Sequence, residues 1–478
     1  MSNERRLYIL SSYFLLFTSH CLQFYAKIFI ILLSKYIYMK KNIVLVLSSL
    51  ILFSCSKYNN TNTNSGSDLI DDSKISSLDT LEANWGKKVD SLKKITEIKN
   101  VTYLSYLAFD NSKESGRFEM FPVLNMHELA GSNEKFNQLV FADGYHDMPS
   151  RTYFITNDKN DDKLKSEYVL SDKNLNSGTY ITLKNFIKKE FSNFPSKIKI
   201  LDINSHGNAY KGIAPDITSK SIISIPDLTK AIKDGVNKVN ILTLDACLMS
   251  SLEVAYELRN VTDIIVASED NTLETGMNYV KNLPEIIKKS NDNLDELAKN
   301  ILSKSATSGV TYQYYDKSDN KNDLQLPNVF TMSAIRTKSI DKLAYNLNQL
   351  SRMFLNKLSI YKAILKSTFN KTHRFTINAS EEDIGQRDAY EVFGRLELEI
   401  RHAEEDKIIP KDNEINNFVQ KVRENLREIA IRSDIHKSEP WAEGISINIY
   451  SKYVNSKEYK ELSFSKDNLW NQLIISLG

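Results

Sequence analysis

Between Val101 and Ala267, short runs of β-branched and aromatic residues alternate with stretches of helical spacing. No other feature constrains the fold as much. Val101–Phe109 (VTYLSYLAF), Phe136–Ala142 (FNQLVFA), Thr152–Thr156 (TYFIT), Ile198–Ile203 (IKILDI), Val239–Leu244 (VNILTL) and Ile264–Ala267 (IIVA) read as strands. Thr182–Phe191, Ile225–Asp234 and Met249–Leu258 read as helices, the second with Pro226 near its start. Strands joined through helices need right-handed crossovers, which give a mostly parallel sheet covered on both faces. The expected class is α/β. Beyond about residue 285 the pattern turns helical, as in 340–368 and 388–404, and an extended apolar segment returns at Gly444–Tyr450 (GISINIY).

Composition narrows the function. The 478 residues carry a formal charge of +2, with 41% hydrophobic and 26% charged side chains. That balance excludes a wholly disordered chain and a multi-span membrane protein. It also leaves no basic surplus for phosphates, so nucleic acid is not an expected partner. The cysteines are Cys21, Cys55 and Cys247, and only Cys247 lies in the body of the chain. The body therefore has no second cysteine for a disulfide and no thiolate set for zinc, and no metal ligands are assigned. H-E-x-x-H, G-x-x-x-x-G-K-[ST] and G-x-G-x-x-G are absent.

Two strand ends carry the chemistry. The run 198–203 leads into Asn204-Ser205-His206-Gly207, and 239–244 leads into Asp245-Ala246-Cys247. Open parallel sheets bind ligands beyond the carboxyl ends of their strands. If the two strands are neighbours, an imidazole and a thiol converge there. A helix starting directly after Cys247 would favour its thiolate, and His206 would exchange the proton of acyl transfer. The backbone N–H groups of Gly207 and Cys247 would bind an oxyanion. Alone, a buried cysteine is usually an inert small hydrophobe and a His-Gly pair a turn. Their joint placement at strand ends is what argues for catalysis.

A strand ending in His-Gly, followed by one ending in Asp-Ala-Cys, resembles the clan of caspases, legumains, gingipains and clostripain. DACLMSSLEVAYEL (245–258), followed by IIVASED, is similar to the clostripain family in particular. YLSYLAFDN (103–111), NMHELAGSNEKFNQLVFADG (125–144) and AEGISINIY (442–450), with Trp470 near the end, extend the likeness over most of 101–478. The resemblance implies a caspase-like α/β/α sandwich with a helix-rich C-terminal part. It implies an endopeptidase with His206 as general acid/base and Cys247 as nucleophile, cleaving after arginine, then lysine. A cationic P1 side chain needs buried negative charge. Asp245 is the first candidate for the pocket wall, and Glu269, Asp270 or Glu274 the second acid. The chain departs from the family in having Asn204-Ser205 where an Asp often precedes His-Gly, and in reading Thr275-Gly276-Met277-Asn278-Tyr279 after the strand 264–267. Family members often mature by self-cleavage between the His and the Cys, which here points to Lys211 or Lys220. The chemistry requires no cofactor. Calcium, used by part of the family, leaves no EF-hand-type loop to read. The rival readings are a non-catalytic surface binding protein on the same fold and an active peptidase with non-basic P1 preference.

The N-terminus reads as a leader. Met39-Lys40-Lys41 precedes the apolar run Ile43–Phe53 and Ser54-Cys55. Leu52-Phe53-Ser54-Cys55 resembles a bacterial lipobox, with Phe53 larger than usual. In this reading Met39 is the start, residues 1–38 are an upstream extension and Cys55 carries lipid. The alternative is a membrane anchor in the interrupted apolar stretch 7–33. The expected organisation is signal and extension over 1–54, polar tether over 55–100 with a short helix in 78–99, peptidase core over 101–285 and a helix-rich region over 286–478 that returns a strand to the core. The expected protein is a monomer acting on protein or peptide substrates. It sits at a bacterial cell envelope, lipid-anchored on the outer surface or in the periplasm, or is secreted.

Overall fold

The computed structural model describes residues 85–111, 120–144, 148–159, 163–171, 175–272, 278–305, 310–315, 321–326, 331–375, 384–431 and 441–478. The leader, Cys55 and Glu274 lie outside these residues. The strands are β1 Trp85–Lys88, β2 Lys99–Ala108, β3 Phe136–Asp143, β4 Arg151–Phe154, β5 Leu164–Leu170, β6 Ser196–Asn204, β7 Ile213–Asp216, β8 Ser221–Ile223, β9 Val239–Asp245, β10 Thr262–Ser268, β11 Val310–Tyr315, β12 Lys321–Leu326, β13 Met332–Arg336, β14 Gln386–Asp388, β15 Ala430–Ile431 and β16 Ser446–Asn448.

Ten of them form one sheet in the order β1-β5-β4-β3-β2-β6-β9-β10-β13-β15. The centre, β3-β2-β6-β9-β10, is parallel throughout. Antiparallel β4 and β13 flank it. Its strands are near-continuous apolar runs because both faces are covered. Successive residues of β2 serve opposite faces. Tyr103 meets Tyr279 with hydroxyls 3.0 Å apart, on the face holding Ile286 and Leu297 of the helices Leu283–Ser290 and Leu294–Ser305. Tyr106 stacks on Phe141 at 4.6 Å and meets Phe186 of the helix Tyr180–Asn193. The α/β/α sandwich is as expected. The helix Ile225–Val236 begins as its sequence signals, with Ser224 accepting from the N–H of Asp227 and a proline in the first turn.

The structure corrects several expectations. The expected tether contains β1, which pairs in parallel with β5, and Trp85 packs edge-on against Phe121 at 5.8 Å. The short helix expected over 78–99 is therefore replaced, over Trp85–Lys88, by an edge strand. The boundary at 285 does not divide the sheet, since β13 and β15 extend it from the C-terminal part. The stretch 340–368 is two helices, Ile340–Asn356 and Leu358–Lys371, separated at Lys357 where φ and ψ are −117° and 30°. The extended segment near 446 does not join the main sheet. β16 pairs with β14.

β16 also grips the Cys247 loop. Ser446 donates its N–H to the Ser250 carbonyl at 2.9 Å. Asn448 donates its N–H to buried Glu253 at 2.9 Å. The Trp470 indole N–H binds the Asn448 carbonyl at 2.8 Å, holding the strand from behind.

Candidate active site

β6 and β9 are parallel neighbours whose register pairs Asn204 with Asp245. His206 and Cys247 each follow two residues beyond that last pair, so they leave the same edge of the sheet side by side. A buried carboxylate fixes this register. Asp202 lies opposite Thr243, whose hydroxyl donates to Asp202 Oδ1 at 2.5 Å, while the Ser105 hydroxyl donates to Oδ2 at 2.8 Å. A one-residue slip would turn these polar groups onto the other face and orphan them.

Beyond the strands, the Ser205 N–H donates to the Asp245 carbonyl at 3.2 Å. The Ser205 hydroxyl bonds the Ala108 carbonyl at 2.7 Å, so the end of β2 braces the residue before His206. Gly207 lies hard against the other strand end. A Cβ there would stand 2.5 Å from the Cys247 carbonyl oxygen and 2.9 Å from Ala246 Cβ. Only glycine permits this approach. His206 as a whole residue is half-buried, and the protein crowded around its ring pushes its pKa down to about 4, with burial the sole cause.

The helix does not begin directly after Cys247. It spans Leu252–Leu258, capped by Ser251. Two backbone bonds decide this. The N–H of Leu248 goes to the Asp270 carbonyl at 3.1 Å, and that of Ser250 to the Ser268 carbonyl at 2.8 Å. Leu248 accordingly sits at φ 66°. The chain turns at Cys247 and Leu248 and lies against the end of β10 before it coils, so Cys247 is not part of the helix's first turn. A backbone donor stands in its place. The N–H of Thr272 points at Cys247 Sγ at 3.3 Å, a sulfur held in a disulfide in this structure, so its role as a thiol belongs to the reduced protein. The Thr272 hydroxyl lies 3.8 Å from the sulfur. Thr272 carried no signal in the sequence, being one hydroxyl residue in a polar loop.

The candidate acids separate. Asp245 is buried beside the pair, and its Oδ2 accepts from the Asn204 side-chain amide at 3.1 Å. Asparagine at 204 thus gives Asp245 a donor where an aspartate would have placed a second negative charge. Glu269 faces inward. Its Oε2 accepts the Gly444 N–H at 2.8 Å. Burial, then the adjoining Asp388 carboxylate, hold its pKa well above the ordinary range. Asp270 builds a turn, its Oδ1 taking the Asn271 N–H at 2.7 Å. Lys211 is half-buried at the end of a 3₁₀ turn, its ammonium 5.1 Å from the Tyr453 ring centroid. Lys220 is exposed in the turn joining β7 and β8. No group of three or more His, Cys, Asp or Glu able to hold a metal occurs among the described residues.

The fold is similar to that of two solved cysteine proteases. A secreted C11 cysteine protease from Bacteroides thetaiotaomicron, in complex with an irreversible peptide inhibitor, is 18% identical with a TM-score of 0.54, covering 78% of this chain and 99% of that one. An inactive zymogen C11 protease from Parabacteroides distasonis is also 18% identical, with a TM-score of 0.51 and the same coverage. No curated protein sequence matches the chain. The model of the clostripain family matches residues 105–476, and the chain belongs to that family of cysteine peptidases.

Proposed function

We propose that the protein is an exported cysteine endopeptidase that cleaves after basic residues, with Cys247 as nucleophile and His206 as acid/base. The observation that carries this reading is the β6–β9 register, which brings the two side chains off one sheet edge with Gly207 against the Cys247 carbonyl. Cys247 Sγ attacks the carbonyl carbon of the P1 residue as its proton passes to His206. The N–H groups of Gly207 and Cys247 bind the resulting oxyanion. The C–N bond breaks, the leaving amine takes the proton from His206, and a thioester remains. Water then attacks the thioester, giving a proton to His206. The C–S bond breaks, the sulfur regains a proton and the new carboxylate leaves. The reaction needs no metal.

A P1-scanning fluorogenic library under reducing conditions tests the specificity. Arginine is expected to lead, with lysine second. Asp245→Asn removes the charge facing a guanidinium and is expected to lower kcat/KM for arginyl substrates by about 10²-fold, as loss of a charge-assisted pair does. Equal turnover of arginyl and neutral substrates by the wild type defeats the basic-P1 reading.

The pH profile follows from His206. Its base form must be neutral, and burial keeps it neutral down to about pH 4. The acid limb of kcat/KM reports the free enzyme. Activity is therefore expected to persist at pH 5 and to fall as pH drops through about 4. An acid limb at the ordinary imidazole value of about 6.5 contradicts this.

A further inference from the structure

We infer that the backbone N–H of Thr272 is a catalytic group that stabilises the Cys247 thiolate. The inference rests on Cys247 being the nucleophile. Negative charge gathers on Sγ whenever the proton leaves for His206, and a buried thiolate without a donor is strongly disfavoured. The helix that would normally help starts only at Leu252. The segment after β10 supplies the donor instead, and its backbone bonding shows why. The carbonyls of Ser268 and Asp270 take the N–H groups of Ser250 and Leu248. The chain after β10 therefore runs antiparallel to the Cys247 loop, one bond every second residue. Thr272 is the next residue in that alternation, and its N–H arrives at Sγ.

The turn is held from three sides. Asp270 N–H donates to the Thr331 hydroxyl at 2.8 Å, and Asn271 N–H to Asp270 Oδ1 at 2.7 Å. Glu269 anchors the preceding residue to Gly444 at 2.8 Å. These bonds give Asp270 and Glu269 a scaffolding task, to hold one N–H at the sulfur. A fixed backbone donor costs no reorganisation when the charge forms.

The test replaces Thr272 by its α-hydroxy acid, which exchanges the N–H for an ester oxygen, and compares Thr272→Ala, which keeps the N–H. Iodoacetamide alkylation of the reduced protein across pH reads the sulfur without requiring turnover. The ester variant is expected to alkylate about tenfold more slowly at pH 6, the loss of one hydrogen bond to a charged group. Thr272→Ala is expected to match the wild type. Wild-type reactivity in the ester variant overturns the inference, as does an equal loss in Thr272→Ala, which would assign the effect to the hydroxyl. A second measurement uses unaltered protein. The ¹⁵N-threonine amide resonance of Thr272 is expected to move with the ionisation of Cys247, and a flat resonance overturns the inference. Full peptidase turnover in Cys247→Ala would instead sink the nucleophile assignment and leave the alkylation profile readable by itself.

Discussion

Cys247→Ala is expected to lower arginyl-peptide turnover by about 10⁴-fold or more, and His206→Ala by a similar factor, because nucleophile and base act as one unit. The double variant is expected to be no worse than the worse single one. Without the sulfur no thioester forms, and the imidazole has no proton to accept. Without the imidazole the thiol keeps its proton, since the base that would take it is missing. Neither change is expected to unfold the reduced chain. Cys247 is a small side chain in a loop tied by backbone bonds at Leu248 and Ser250, and His206 is part-exposed. Steady-state kinetics on the three variants, with melting temperatures as the folding control, decide the matter. Retained turnover in either single variant, or losses that multiply in the double, would end the dyad assignment.

The second large effect is expected at a residue with no side chain. Gly207→Ala would place a methyl 2.5 Å from the Cys247 carbonyl oxygen and 3.0 Å from Met249 Cγ. The oxygen is backbone and cannot swing aside. The two strand ends must part, carrying His206 and Cys247 with them. A displacement near 1 Å costs about 10²-fold in rate, and overpacking costs about 1–3 kcal/mol in stability. Gly394→Ala is the matched control. It lies in the helix Ala389–Glu405, and its Cβ would meet nothing nearer than Arg423 Nη2 at 3.9 Å. That change is expected to leave activity intact and to stabilise by about 0.5–1 kcal/mol. Turnover by Gly207→Ala within a few-fold of wild type would show that the close approach is irrelevant to catalysis.

The electrostatics of the site depend on which acids remain charged. Glu269, three residues along from Val266 in the centre of β10, read as a candidate for binding a substrate cation. Its carboxyl instead faces Asp388, whose pKa burial raises to about 7, and the N–H of Gly444. Both partners come from the C-terminal part, more than a hundred positions away in the chain. Asp245 is instead the last residue of β9, buried at the carboxyl end of the strand two positions before Cys247, where its Oδ2 takes the Asn204 amide.

Local signals were legible in the sequence. The apolar runs of β2, β6, β9 and β10 announced a parallel core, because strands covered on both faces cannot alternate with polar residues. His206 and Cys247 stood out because each breaks such a run at its carboxyl end. The edge strand β1 was hidden. Its four residues, WGKK, hold one buried apolar side chain and carry no period. Thr272 was hidden for another reason, since its contribution is a main-chain N–H that every residue but proline has.

What the sequence by itself determined is the order of the strands along the chain and the chemistry at two of their ends. Only the tertiary structure decided that those ends are neighbours in one register, that the helix after Cys247 waits until Leu252, and that a threonine amide faces the sulfur. The physical reason is that strand pairing and the partners of buried N–H groups are satisfied between distant segments. A chain encodes its apolar period locally, but the mate of each backbone donor exists only once the sheet has formed.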